Sequence, residues 1–422
     1  MIKYDLPDIG INYRGVATTS TKKIKIDNWK IINIPNEIAI KDVKYLVNET
    51  LQNICAIEMP TSLKCNLRCQ YCYIRDPRLK NKKVLTESIK KILINIKKRL
   101  PKFNPNLNIK EKRHLTAWGA EPLCNLDTLE LLYEFGHNVY GKDKYTIGLS
   151  TNGTIWNNRI RKLFHNMLLD NAMPQIQISL DGPKEIQDYY RPDNNELGSF
   201  NKIKKFINNY NNLLHSTNTP YNYHFCSTIF LKDDNFIKHY IDAAKFFSED
   251  DTWHSSPMLP MRTSGEDLDN EEEINKFIKA QQQMYLFIKD NIKSNPEKII
   301  IDNYTSRLFG NISNKSMNAY PYCSAMNTQW GIDIDGSIYM CHGPITNPEY
   351  KPFLWFGNIF EGVISYKQLI RNINYMYGSI WTRVRCVECP LYKYPFGNIC
   401  WSCPPHNLAV SSHPIIYFYF FC

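Results

Sequence analysis

Hydrophobic positions along the chain switch repeatedly between two periods. Short apolar runs with strand character are expected at Cys55–Met59, His114–Trp118, Tyr145–Ser150, Gln175–Leu180, His224–Phe230 and Thr252–Leu259. Between them lie stretches at helical spacing. Ile89, Ile92, Leu93, Ile96 and Leu100 recur that way behind Thr86, a suitable N-cap. Further helices are expected over Leu126–Val139, Ile160–Leu169, Phe200–Tyr210 and Asn235–Phe247. Strand–helix alternation implies parallel strands joined by crossover helices. Six such units make an α/β fold, a partial (β/α)6 TIM-like barrel, whose chemistry belongs at the C-terminal strand ends. Ahead of it, Lys23–Ile34 alternates like a strand and Asp42–Leu51 suits a short helix. Behind it, a charged segment at Gly265–Ile274 leads into a helix through about Ile292. From Tyr322 onward the chain turns to short strands, tight turns and many cysteines.

The 422 residues are 43% hydrophobic, enough for a buried core and too apolar for disorder throughout. No apolar run reaches the roughly 18 residues that span a bilayer. The leading MIKYDLPDIGINYRG has no apolar signal core. No membrane association is expected, and a cytoplasmic protein is. The net charge of +10 is spread along the chain. Without a basic stripe interleaved with aromatics, a nucleic-acid partner is not expected.

Cysteine changes the picture. Of 13, three stand close together, Cys65, Cys69 and Cys72, and seven follow residue 320: Cys323, Cys341, Cys386, Cys389, Cys400, Cys403 and Cys422. Without an export signal, such clusters are metal ligands more often than disulfides. Three thiolates on one loop can hold three irons of a [4Fe–4S] cubane, leaving the fourth iron open to a small molecule. A zinc loop is the alternative, but structural zinc wants four ligands and no further Cys or His lies nearby in sequence. Cys55, Cys124 and Cys226 are expected to be small buried apolar residues.

The pattern Cys65-x3-Cys69-x2-Cys72, with Tyr71 before the last Cys, resembles the signature loop of radical S-adenosylmethionine (SAM) enzymes. Trp118-Gly119-Ala120-Glu121-Pro122 resembles that family's GGEP motif, with Ala120 in place of the second glycine. Thr151-Asn152-Gly153 follows the next strand. Ser179-Leu180-Asp181-Gly182-Pro183, with Tyr190-Arg191 downstream, is similar to a motif of the subgroup that matures peptides and proteins. The resemblance covers roughly residues 54–260. It implies that Cys65, Cys69 and Cys72 hold a [4Fe–4S] cluster. It also implies that Tyr71, Gly119, Ala120, Glu121, Pro122, Thr151, Asn152, Ser179, Asp181 and Arg191 form the SAM site. Glu121 would take the SAM ammonium, Ser179 a carboxylate or ribose contact, and Arg191 the carboxylate. Residue by residue, the bland alternatives are a helix cap for Glu121 and turn roles for Ser179 and Asp181.

In the late region, Asp335-Gly336 between alternating apolar residues is a hairpin signal that would return Cys341 towards Cys323. This region resembles the SPASM extension of peptide-modifying radical SAM enzymes, departing from it in the spacing of Cys386, Cys389, Cys400 and Cys403. The resemblance implies two auxiliary [4Fe–4S] clusters, one on Cys323, Cys341 and Cys403, the other on Cys386, Cys389, Cys400 and Cys422. C-x2-C-x10-C-x2-C is also close to zinc-ribbon spacing, so zinc stays open. His342 is a candidate proton acceptor, where anaerobic sulfatase-maturating members carry Asp. Ile415–Phe421 suits a buried closing strand.

The domain organisation expected is therefore 1–52, a peptide-recognition module or barrel cover; 53–262, the radical SAM partial barrel; 263–320, a helical bridge; and 321–422, a small cysteine-rich, SPASM-like C-terminal domain. The resemblance implies an enzyme that cleaves SAM reductively to a 5′-deoxyadenosyl radical and abstracts hydrogen from a ribosomally synthesised peptide or a protein. The outcome would be a cross-link, thioether or oxidation, in an anaerobic setting, with an electron donor such as flavodoxin or ferredoxin. A sulfatase-maturase-like oxidase and a non-catalytic iron–sulfur or zinc protein are the alternatives.

Overall fold

The computed structural model describes residues 21–72, 86–100, 112–173, 175–230, 233–249, 328–346 and 351–377, with short pieces between 258 and 302. Eleven strands among them form one sheet. In chain order these are β1 (Thr21–Ile26), β2 (Trp29–Pro35), β3 (Ala56–Ser62), β4 (Arg113–Gly119), β5 (Tyr145–Thr151), β6 (Ile176–Ser179), β7 (Tyr223–Cys226), β8 (Gln329–Ile332), β9 (Ser337–Tyr339), β10 (Trp355–Asn358) and β11 (Val363–Ser365). The longer helices among the described residues are α1 (Ile40–Asn53), α2 (Thr86–Arg99), α3 (Leu126–Val139), α4 (Asn158–Leu169), α5 (Lys184–Tyr190), α6 (Phe200–Ser216), α7 (Phe236–Glu249) and α8 (Tyr366–Tyr377).

The spatial order is β1-β2-β11-β10-β9-β8-β3-β4-β5-β6-β7. Strands β3 to β7 run parallel in sequence order, as the alternation predicts. The sheet is open, a partial barrel. Register gives its two faces opposite characters. Ile57, Met59, Leu115, Ala117, Ile147, Leu149, Ile176, Ile178 and Phe225 point one way and are buried. They share a core with Ile89, Ile92, Leu93 and Ile96 of α2 and with Phe164, Phe206 and Tyr210 of α4 and α6. The opposite face carries Glu58, Thr116, Trp118, Gly148, Ser150, Gln177, Ser179 and His224. Burying the first face supplies the stability; the second is polar and mostly half-buried, fit for a solute.

Several expectations are corrected. The strand expected over Lys23–Ile34 is a hairpin, β1 with β2, turning at Asp27-Asn28, where Asp27 takes φ 49°. Asp and Asn tolerate that left-handed backbone, and the alternation on either side hides the break. The strand expected over His224–Phe230 splits into β7 and Thr228–Ile229, because Asp181 takes the Thr228 N–H at 2.9 Å and its carbonyl accepts the Ser227 hydroxyl at 3.2 Å. Thr228–Ile229 pairs in parallel with Arg262–Thr263. Of the sixth strand expected at Thr252–Leu259, Met258–Leu259 pairs in parallel with Ile301–Asp302, and residues 252–257 lie outside the described ones. The expected Asp335-Gly336 hairpin is present as β8–β9, with Gly336 at φ 83° and its N–H on the Asp333 carbonyl at 2.9 Å. Strand β8 pairs in parallel with β3, and β11 with β2. The bridge segment Gly265–Ile274 and the closing strand expected at Ile415–Phe421 lie outside the described residues.

Candidate functional site

The loop of Cys65, Cys69 and Cys72 leaves the C-terminal end of β3 and is fastened from three sides. The first fastening is Gly119 to Glu121. The Ala120 N–H reaches the Ser62 carbonyl at 2.9 Å and the Glu121 N–H the Lys64 carbonyl at 3.0 Å. Gly119 adopts φ 134°, and a Cβ there would lie 1.9 Å from the Ser62 carbonyl oxygen, so only glycine fits. Ala120 keeps an ordinary negative φ, which explains why a methyl is accommodated.

The second fastening is Asn152. Its amide donates to the Asn66 side chain at 2.9 Å and to Cys65 Sγ at 3.6 Å. The third is backbone pairing with the end of α5 and the residues just after it: Arg68 N–H to Pro192 O at 2.8 Å, and Gln70 N–H to Tyr190 O at 3.0 Å.

Glu121 is fully buried. Its carboxylate accepts from the Leu123 N–H (3.0 Å), the Thr151 hydroxyl (2.8 Å) and the Asn152 N–H (2.6 Å). It does cap the turn Pro122–Cys124, so the bland role is present whatever else it does. Burial pushes it up to about 7, against those three hydrogen bonds, which lower it. Pro122 sits at the start of that turn, where its missing N–H is harmless.

Buried Asp181 and Arg191 form a triad with the half-buried Tyr71. Arg191 grips Asp181 through Nε (2.9 Å) and Nη2 (3.1 Å), and the Tyr71 hydroxyl donates to Asp181 Oδ2. The guanidinium also lies 5.1 Å from the Tyr71 ring centroid. The charge of Arg191 is thus already matched within the protein. Ser179 is half-buried at the end of β6. Behind the triad, the buried Tyr190 donates to Asp233 at 2.6 Å and contacts His239 Nδ1. Sequence reasoning missed those two partners, which lie on or just before α7.

Burial pushes the Cys65 thiol up to about 12, with Glu121 adding to it, and Cys69 up to about 11, against the nearby Arg191. Iron binding therefore displaces protons from these thiols. The donor set suits a cluster: three soft sulfurs on one loop, with N–H groups of Leu67 (3.4 Å) and Asn152 aimed at Cys65. Among the described residues, no three His, Cys, Asp or Glu side chains gather closely enough for a single ion. Cys226 is buried as expected, whereas Cys55 and Cys124 are only half-buried. Cys124 adjoins the loop, where the Asn66 N–H reaches its sulfur.

The C-terminal hairpin reaches the same sheet. Glu58, in the middle of β3, accepts both the His342 N–H (2.9 Å) and His342 Nδ1 (2.7 Å). Burial alone would raise the Glu58 carboxyl; the contacts with His342 outweigh it and hold the carboxyl below its usual range. The imidazole lies 5.1 Å from the Trp118 ring. Gly331 makes room: a Cβ there would meet the Cys341 carbonyl at 2.2 Å. Nothing in the sequence pairs Glu58 with a residue 284 positions away; an acid inside an otherwise apolar strand was the only signal. Cys341 is buried beside His342. Cys323, Cys386, Cys389, Cys400, Cys403 and Cys422 lie outside the described residues.

Residues 59–224 match the model of the Radical SAM superfamily. That stretch is a Radical SAM domain. With it come SAM and a [4Fe–4S] cluster as cofactors, and auxiliary clusters are typical of the SPASM-type relatives. A cysteine-type anaerobic sulfatase-maturating enzyme of Clostridium novyi is 29% identical over 357 residues, covering 81% of this chain and 86% of the relative. The solved structure of anSMEcpe with bound AdoMet and Cp18Cys peptide superposes with TM-score 0.58 at 18% identity, covering 87% of this chain and 96% of that one. Streptococcus suis SuiB bound to its precursor peptide SuiA does so with TM-score 0.52 at 13% identity, covering 90% and 81%. This radical SAM protein is thus an enzyme related to sulfatase maturases and peptide-modifying radical SAM enzymes. Among the described residues, no helix is long and apolar enough to cross a membrane.

Proposed function

We propose that this radical SAM enzyme installs a post-translational modification on a ribosomally synthesised peptide or a protein side chain by hydrogen abstraction. The observation that carries the reading is the convergence of four strand-end motifs on the Cys65–Cys72 loop, at the open end of a polar sheet face. When bound, SAM on a reduced [4Fe–4S] cluster supplies a 5′-deoxyadenosyl radical, which takes hydrogen from carbon. The protein's part is to hold, orient and exclude water. Cys65, Cys69 and Cys72 hold the cluster. Glu121, through its remaining lone pairs, accepts the SAM ammonium while Thr151 and the Asn152 N–H fix its carboxylate. Gly119, Ala120 and Pro122 set that turn. Ser179 meets the carboxylate or ribose, and Tyr71 lines the adenine side. Arg191, already paired with Asp181, offers SAM its outer edge rather than a free charge.

The late cysteines hold auxiliary clusters, His342 accepts a proton from the substrate side, and a flavodoxin or ferredoxin supplies electrons in an anaerobic cytoplasm. The Clostridium novyi relative favours a second reading, oxidation of a sulfatase cysteine. The test is anaerobic reconstitution with iron, sulfide, dithionite and SAM. 5′-Deoxyadenosine is expected; its absence overturns the reading. Adding a sulfatase-derived cysteine peptide separates the two outcomes: formylglycine in the product supports the second.

A further inference from the structure

Two hydrogen-bonding groups stand side by side on the polar face without partners that use them up. Trp118 is 7% exposed, and its indole Nε1–H is buried with no hydrogen-bond partner. Its pairing with Pro60 of β3 places it on the same face as Glu58, Ser150, Gln177 and His224. Other polar groups of that face serve each other, Gln177 Nε2 donating to Ser150 at 2.9 Å. Buried donors are rarely left unsatisfied. The second group is the outer nitrogen of His342. A carboxylate only accepts, so Nδ1, 2.7 Å from Glu58, carries a hydrogen, and with the ring singly protonated Nε2 presents a lone pair. The His342 side chain is 40% exposed and its ring lies against Trp118. A donor and an acceptor therefore sit next to each other, one fixed by its strand, the other by Glu58.

We propose that Trp118 Nε1–H and His342 Nε2 form a two-point site for one residue of an extended peptide, binding its carbonyl oxygen and its N–H respectively. In an extended chain those two groups of one residue point to the same side. The proposal rests on the peptide reading above and deepens it. Glu58 is then a positioning residue that fixes the imidazole tautomer. A lone pair occupied by an amide hydrogen is not free to take a proton, so His342 accepts the substrate proton of the reading above only after that N–H has left it.

The probe is N-acetyl-L-alanine N-methylamide, added to reconstituted holoenzyme carrying 15N-labelled tryptophan, with Trp118→Phe identifying the indole signal. Its counterpart is O-acetyl-L-lactic acid N-methylamide, in which oxygen replaces the residue's N–H. The dipeptide is expected to move the Trp118 signal saturably. The counterpart should bind wild type at least fivefold more weakly, yet bind His342→Phe as well as the dipeptide does. Trp118→Phe should weaken both at least fivefold. A Trp118 signal that stays fixed, or equal binding of both probes by wild type, overturns the proposal. Formation of 5′-deoxyadenosine is read separately, so either reading can fail alone.

Discussion

Arg191 holds Asp181 through two parallel hydrogen bonds, Nε to Oδ2 at 2.9 Å and Nη2 to Oδ1 at 3.1 Å, with both side chains buried. Tyr71, one residue before Cys72, hangs on the same carboxylate. The pair therefore locks the far end of the cysteine loop. Removing one member leaves the other charge buried and unpaired, at a cost of about 3–5 kcal/mol. Asp181→Ala should lower the urea midpoint by that measure and reduce iron uptake. The double variant Asp181→Ala with Arg191→Met should recover part of the stability. Additive losses would show that the pair is not coupled.

Glu121 gives a pH dependence with a definite sign. Burial raises its folded-state value from 4.5 to about 7. Across that window the folded protein keeps a proton that the unfolded chain has lost. The contribution of Glu121 to stability therefore falls as pH rises, by at most about 3 kcal/mol. In the metal-free protein, wild type should lose stability between pH 5 and 7.5 relative to Glu121→Gln, by denaturant midpoints. Parallel curves would show that Glu121 titrates normally.

Replacing Cys65, Cys69 and Cys72 together by Ala should remove roughly four irons per chain and abolish 5′-deoxyadenosine formation. Iron content and product by mass spectrometry read both effects. Full activity in the triple variant would remove the cluster from this loop.

Gly119→Ala forces a methyl onto the Ser62 carbonyl at a positive φ. It should destabilise the protein by more than about 1 kcal/mol and impair iron loading. Ala120→Gly, at an unstrained position, should load iron normally. If both variants behave alike, the contact with Ser62 does not matter.

What the sequence revealed was what it stores locally. Cys65, Cys69 and Cys72 share a loop, and Trp118–Pro122 and Thr151–Gly153 each mark a strand end. Strand and helix periods put these at one end of a parallel sheet. What stayed hidden depends on distant partners. Glu58 meets His342 only because β8 pairs with β3. Arg191 is committed to Asp181 because α5 returns the chain, a geometry that motif spacing does not encode. The break at Ser227 comes from hydrogen bonds to Asp181, 46 and 47 residues earlier, not from any turn residue.

Strand β8, the first arm of the late hairpin, lies along β3 and joins that hairpin to the parallel strands. A chain cut near residue 320 would not release a tidy catalytic half. It would strip β3 of its neighbour and present Ile57 and Met59 beside a row of bare amides, an open template for sticking to sister molecules. Versions that end near residue 320 should therefore clump during expression.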